Sequence, residues 1–443
     1  MSRALKVLSA LVLTLVLAGA LAACGGGGGE GGGSTGSSSG GSESSEISGT
    51  ITVWDNEYET IPQWTKATKK VYEEFEKLHP GVKVNIVAQP YEGWEAVYRA
   101  AFTAHEGPDV MLLQPGASGI LSFAQGLEPV NEYLTPDLEE HVTQWDAVTP
   151  GLTEEEGTRY GVPCTVQGWV FYYNKKMFAE AGLPTKFEPK TWAEIREAGE
   201  KLKAAGIQPF TGGNKEGFEN SWWFSVGFQT ENEPQQAQEL AEGKIDWTDE
   251  AVTKAFKPNI EMQEAGLYPS DRFSTPLFAQ GYPRFAEGKG AMILGFMETI
   301  GYWQEFVPAL GEKNVGIFFP PGKHPVATLG NVTWGIPKFA KNKEAAWALL
   351  EYMVSKPGME LFAEYGYLPN RDDVTLPAKF PAQAHEIEEA TKSPERIVAP
   401  FLSATSAVIW QAVPRELNQV LQGRTSLEDA QAGLQEAAEK SGT

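Results

Sequence analysis

Beyond its N-terminal fiftieth residue, the chain alternates short apolar runs with longer stretches of helical period. Ile51 to Trp54 predicts a strand, Trp64 to Leu78 a helix, Val82 to Val87 a strand, Trp94 to His105 a helix and Asp109 to Leu113 a strand. Short apolar segments separated by helical periodicity argue for a β-α-β-α-β run whose parallel sheet is covered on both faces. Such sheets bind ligands beyond the carboxyl ends of their strands. Those ends are Trp54-Asp55-Asn56 and Gln114-Pro115.

A second unit opens near Tyr160-Gly161-Val162-Pro163 with a strand at Trp169 to Tyr173. Thr191 and Glu194 fit a capping box for a helix running to Ala205, and Gly206 suits its end. Further helices are predicted at Asp249 to Ala265, Lys343 to Val354, Gly358 to Tyr365 and Leu427 to Glu439. No fixed-period internal repeat is visible.

Before this folded part lies a segment of a different kind. Arg3 and Lys6 precede an almost wholly apolar stretch, residues 7–20, which ends in Leu21-Ala22-Ala23-Cys24. That layout is a secretory signal, too short for a spanning helix. The Leu-Ala-Ala-Cys ending resembles the lipobox of bacterial lipoproteins, which implies removal of residues 1–23 and lipidation of Cys24. The Gly/Ser-rich run through Ser48 can bury no core and reads as a tether reaching roughly 25–30 Å.

Charge narrows the function classes. The chain carries −22 formally, and loss of Arg3 and Lys6 with the leader makes it −24. That balance argues against a nucleic-acid or anionic-membrane surface, and the acidity reads mainly as a solvated exterior. Once Cys24 is lipidated only Cys164 remains, so no internal disulfide is available. Roughly 395 residues, 49–443, must fold by burial alone, enough for two or three domains.

Several pieces, in order, resemble the sugar-binding extracellular solute-binding proteins, a family that includes maltose-binding protein. They are Gly107-Pro108-Asp109-Val110, Gly161-Val162-Pro163, Tyr172 to Phe178 (Tyr-Tyr-Asn-Lys-Lys-Met-Phe), Gly288 to Met292, Gly330 to Pro337, Lys341 to Trp347 and Tyr367 to Arg371. The resemblance covers about 50–440. It implies an α/β, two-lobed periplasmic-binding-protein-like (Venus-flytrap) fold, each lobe a mainly parallel sheet flanked by helices, joined by several hinge crossovers. The crossovers are expected near 161–165, 323–328 and 370–374, giving an N-lobe of 49–162 plus 327–371 and a C-lobe of 163–326 plus 372–443. It further implies a monomeric, lipid-anchored receptor outside the cytoplasm that delivers a carbohydrate to the permease subunits of an ABC transporter, with no cofactor, no metal and no nucleic acid. ATP hydrolysis would belong to another polypeptide.

Binding a sugar needs flat apolar faces for the C–H side of its rings and fixed polar groups for its hydroxyls. Trp54, Asp55, Asn56 and Gln114 follow strands at the ligand-binding end, and Tyr91 and Trp94 lie close by in the first unit. Relatives carry an aromatic at the Trp94 position. From the second unit come Gln167, Trp169, Trp222, Trp223, Met297 and Glu298, then Asn331 and Trp334 in the return segment and Trp410 late in the chain. Many relatives have tryptophan where Met297 stands; methionine can still pack on a ring face. Trp64, Trp145, Trp192 and Trp347 read as helix core.

Nothing points to catalytic machinery. His79, His105, His141, His324 and His385 lack metal spacing, and no His-Glu-x-x-His, Cys-x-x-Cys, nucleophile elbow or phosphate loop occurs. Cys164, next to Pro163, reads as a small buried residue. Two readings stay open beside the sugar receptor. One is the same fold holding a non-sugar solute such as a polyamine, phosphorylated polyol or metal complex. The other is a tethered glycoside hydrolase, which needs only two carboxylates about 5 Å apart, with Asp55, Glu57 and Glu298 as candidates.

Overall fold

The computed structural model describes residues 47–90, 93–151, 157–298, 302–393, 396–398 and 405–441. Its first sheet starts from the run the periodicity predicts: β1 (Gly49–Asp55), α1 (Pro62–Leu78), β2 (Val82–Ala88), α2 (Trp94–Ala104) and β3 (Val110–Leu113). β1 pairs in parallel with both β2 and β3. Ile51 and Val53 are fully buried, as is every residue of β3. α1 turns Trp64, Ala67, Val71, Tyr72 and Phe75 inward, the three-to-four spacing that puts residues on one helix face.

The chain then adds β4 (Val162–Gln167) to this sheet and passes through Gly168 into β5 (Trp169–Asn174) of a second one. A side chain at Gly168 would put its Cβ 2.5 Å from the Ala327 carbonyl oxygen and 2.8 Å from Met297 Sδ. Only glycine fits this passage.

In the second sheet β5 is the centre, flanked by β6 (Met292–Phe296) and β7 (Val315–Phe318). Both ladders are antiparallel, where a mainly parallel sheet is expected from sequence. Burial explains the difference. Phe171 faces Trp192 and Trp223, whereas Tyr172 on the opposite face meets Phe306, so β5 is covered on both sides whichever way its neighbours run. An apolar run records burial, not strand direction.

The return strand β8 (Ala327–Gly335) lies between β3 and β4, antiparallel to both, and β9 (Ile397–Val398) pairs in parallel beside it. The first sheet therefore runs β2-β1-β3-β8-β4. Asn370 Nδ2 donates to the Pro163 carbonyl at 2.8 Å, tying the chain near 370 to β4. These two sheets and their helices make two lobes.

Helices of the second lobe include α3 (Trp192–Ala204), α4 (Phe218–Glu231) and α5 (Glu250–Glu264). Thr191 Oγ1 caps α3 by accepting from the Glu194 amide, 3.2 Å. The Glu194 carboxylate reaches the amide of Lys190, not that of Thr191, so the predicted reciprocal box is displaced by one residue. After α6 (Lys343–Val354) and α7 (Lys356–Glu364), the last helices α8 (Ala407–Leu421) and α9 (Leu427–Ser441) join α4 and α5 in a separate apolar cluster around Phe224, Phe256, Val413 and Leu434.

α4 is buried through nearly its whole length and is braced by an ion pair the sequence does not reveal. Arg272 and Glu219, both fully buried, meet at 2.9 Å; Arg272 also donates to Asn259 and Gln263, and its guanidinium lies 3.5 Å from the Tyr268 ring centroid. Burial nevertheless raises the Glu219 carboxyl above its ordinary range, because desolvation outweighs the attraction.

Candidate functional site

A cavity of about 400 Å³ opens where the strand ends of both sheets meet. From the first sheet Asn56 follows β1, Gln114, Pro115 and Ser118 follow β3, and Gln167 closes β4. Trp94 and Glu95 enter from the first turn of α2. Gly93 starts that helix at φ 74°, a left-handed conformation that glycine adopts without strain.

The facing wall is aromatic. Trp169 begins β5, Phe296 ends β6, and Phe218 and Trp222 stand one helical turn apart on α4. Trp222 touches Phe296 at 4.5 Å between ring centroids, with Trp169 at 6.4 Å and Phe278 at 6.0 Å. Trp410 and Gln411 of α8 complete this side.

Some polar atoms here have no partners among the described residues. They include Asn56 Oδ1 and Trp169 Nε1, both buried. Unpaired buried donors and acceptors are costly, and a polyhydroxylated ligand offers both missing partners.

Seven of the residues proposed from sequence therefore meet at one cavity: Asn56, Trp94, Gln114, Gln167, Trp169, Trp222 and Trp410. Others lie behind it. Trp334 is fully buried and stacked on Trp64, centroids 6.2 Å apart, and Trp223 is fully buried with its indole N–H donating to the Tyr268 hydroxyl, 2.8 Å. Both are core, because their strand and helix faces point into the lobes. Trp54 packs on Tyr98 without lining the cavity. Met297 is fully buried against Gly168, Asn331 is 4% exposed, and neither lines it. Tyr91 and Cys24 lie outside the described residues.

Asp55 serves the backbone. Its Oδ2 accepts from the Trp64 indole at 2.8 Å, and its Oδ1 accepts from the amides of Glu57 and Tyr58 at 2.8 and 2.9 Å. Those bonds fix the turn that presents Asn56. Burial raises the Asp55 carboxyl to about 6, against the lowering effect of its three donors. Glu57 is raised to about 8, by burial first and then by the Asp55 charge. Glu298 is pushed well above the carboxylate range by burial and then by Glu57. Burial likewise pushes the Cys164 thiol up, which leaves it no nucleophile.

Sequence reasoning missed Glu95, Ser118, Phe218, Phe278 and Gln411. Of these only Phe278 carries a signal, a large aromatic left 36% exposed, and exposure is a property of the fold.

A larger concavity of about 720 Å³ lies elsewhere, lined by Lys190, Arg196, Lys254, Lys257 and Lys323 together with Glu231 and Glu261. Lys254, Lys257 and Lys323 are already paired with Glu250, Glu261 and Glu233. The strand-end cavity, unlike this concavity, draws polar side chains and aromatic rings from both sheets, and it is the candidate site.

Among the described residues no helix is long and apolar enough to cross a membrane. Solved structures of the same fold include a chain studied for xylan utilization by the thermophilic bacterium Caldanaerobius polysaccharolyticus, 20% identical with a TM-score of 0.73, covering 87% of this chain and 99% of that one. A chitin oligosaccharide binding protein is 22% identical with a TM-score of 0.72, covering 89% and 98%. Maltose-bound MalE3 of T. maritima is 21% identical with a TM-score of 0.68, covering 88% and 99%.

Among sequences, the sn-glycerol-3-phosphate-binding periplasmic protein UgpB of Brucella abortus (strain 2308) is 32% identical over 140 residues, 30% of each chain. The match thus spans about a third of the length of that relative. A binding protein of the same organism is 24% identical over 335 residues, 72% of this chain and 77% of its own. The family model described as bacterial extracellular solute-binding protein matches residues 60–360. With that span and this two-lobed fold, the chain belongs to the bacterial extracellular solute-binding proteins.

Proposed function

We propose that this protein is a lipid-anchored receptor that closes its two lobes on a carbohydrate, an oligosaccharide in preference to a single ring, and presents it to an ABC permease. The observation that carries the reading is the cavity's composition. Four tryptophans, Trp94, Trp169, Trp222 and Trp410, share it with four side-chain amides, those of Asn56, Gln114, Gln167 and Gln411. Rings bind the apolar faces of pyranoses, and amides both donate to and accept from hydroxyls.

Closure follows from differential affinity: a ligand touching both walls stabilises the shut state, whereas one touching a single wall shifts nothing. The lobes that move are taken as 49–162 plus 327–371 and 163–326 plus 372–443, with the first boundary moved to Gly168 because β4 pairs in the first sheet, and the receptor as a monomer held to the outer face of the cytoplasmic membrane through Cys24. Catalysis is disfavoured. A glycosidase needs two carboxylates at its cleft, and among the described residues lining the cavity Glu95 is the one carboxylate.

The test is a titration of intrinsic tryptophan fluorescence in a chain starting near Ile47, against mono- and oligosaccharides, with the sugar recovered afterwards. Saturable change with intact sugar supports the receptor. Silence across all sugars refutes the carbohydrate ligand, and sugar breakdown refutes the receptor in favour of an enzyme.

A further inference from the structure

Behind the cavity, three acidic side chains gather from both lobes. Asp55 ends β1 of the first lobe and Glu57 follows it, and Glu298 follows β6 of the second. Glu298 is fully buried, and neither of its carboxyl oxygens has a hydrogen-bond partner among the described residues. Glu57 is 4% exposed and bonded to the Gln114 side chain. Besides each other, the titratable groups that act on this pair or feel its charge are Asp55, Tyr98 and Cys164 from the first lobe and Tyr172 from the second. None is basic.

Two carboxylates in one dry seam cannot both ionise cheaply, and without a cation the counter-charge available is the proton. Glu298 is held at the passage between lobes: the amide of its neighbour Met297 donates to the Gly168 carbonyl at 2.9 Å. The seam that joins Glu298 to Glu57 is therefore the seam between lobes.

We propose that Glu57 and Glu298 form an interlobe proton site, so that closure on a saccharide takes up protons and the receptor releases its ligand as pH rises. This rests on the carbohydrate reading above.

The sign follows from the direction of the shifts. Both groups are raised with the lobes as they stand here; Glu57 goes from 4.5 to about 8, so its contribution to this arrangement is fully present below about 4.5 and is lost as pH rises through about 8, and Glu298 acts in the same direction. In open lobes each carboxyl regains water and its ordinary range. A net uptake of one proton weakens binding by about tenfold per pH unit inside that window.

The experiment is calorimetric titration of the tightest-binding saccharide between pH 5.5 and 8.5, in two buffers of different ionisation heat. Affinity should fall by about ten- to hundredfold across this range, with proton uptake on binding. Glu298→Gln, neutral and nearly isosteric, should flatten both, and Glu57→Gln gives a second variant should the first fold poorly. A flat affinity in the natural chain, or a slope unchanged in both variants, overturns the proposal. No binding at any pH refutes the carbohydrate reading instead, and the linkage falls with it.

Discussion

Trp410→Ala separates ligand stacking from fold maintenance better than any other substitution in the cleft. Trp410 lies on α8, lines the cavity, and is only partly buried against the cluster around Phe224 and Val413. A tryptophan buries about 150–250 Å² when fully covered, and with most of it already packed, a sugar ring would cover on the order of 50 Å². At about 25 cal/mol per Å² the loss is about 1.2 kcal/mol, or about eightfold in Kd. The packed part of the ring supports the fold, so stability should fall by about 2–3 kcal/mol, less than for a fully buried tryptophan. Calorimetry with the best saccharide reads the first quantity and a urea melt the second. A change in Kd of less than about threefold, in a variant that the urea melt shows to be folded, would refute the assignment of Trp410 to the site.

Other expectations follow from the same geometry. Trp334→Ala should act on the fold: the ring is fully buried against Trp64, so about 3–5 kcal/mol of stability is lost, seen as a lower Tm, while the cavity lining stays complete. Arg272→Met should cost about 3–5 kcal/mol by leaving Glu219 buried and uncompensated, and adding Glu219→Gln should recover much of that loss in a double-mutant cycle by urea unfolding. Gly168→Ala should destabilise by about 1–3 kcal/mol and shift ligand affinity as well, since its Cβ would strike the Ala327 carbonyl at the passage between lobes; an unchanged urea midpoint would remove the steric argument.

Strand ends were legible in the sequence because a parallel βαβ run fixes both its periodicity and the end at which ligands gather. That is how Asn56 and Gln114 could be placed. The tryptophans were harder. Trp222 and Trp223 are adjacent on a helix buried nearly all round, so no amphipathic pattern says which ring meets the cleft and which meets Tyr268. Trp334 sits in a strand whose nine residues are all buried, which erases the alternation that would have assigned its face. Strand direction in the second sheet was illegible for the same reason. Phe218, Phe278 and Gln411 reach the cavity from elements far apart in sequence, and only tertiary packing brings them together.

The similarity to a glycerol-3-phosphate-binding protein raises the question of whether this cleft could hold a phosphate, and its charge argues otherwise. Among the described residues that line it there is no Lys, Arg or His, and Glu95 stands at its rim. A phosphate monoester carries nearly two negative charges at neutral pH, and here only amides and hydroxyls would meet it, beside Glu95 and in front of Glu57 and Glu298. Burying an anion without a counter-ion costs several kcal/mol, so glycerol 3-phosphate should bind at least about a hundredfold more weakly than the best neutral saccharide. Competition by glycerol 3-phosphate against a bound saccharide at about 150 mM salt measures this ratio with surface attraction screened. Comparable affinities would mean that a cation reaches the cleft on closure, and the neutral-sugar reading of the lining would be wrong.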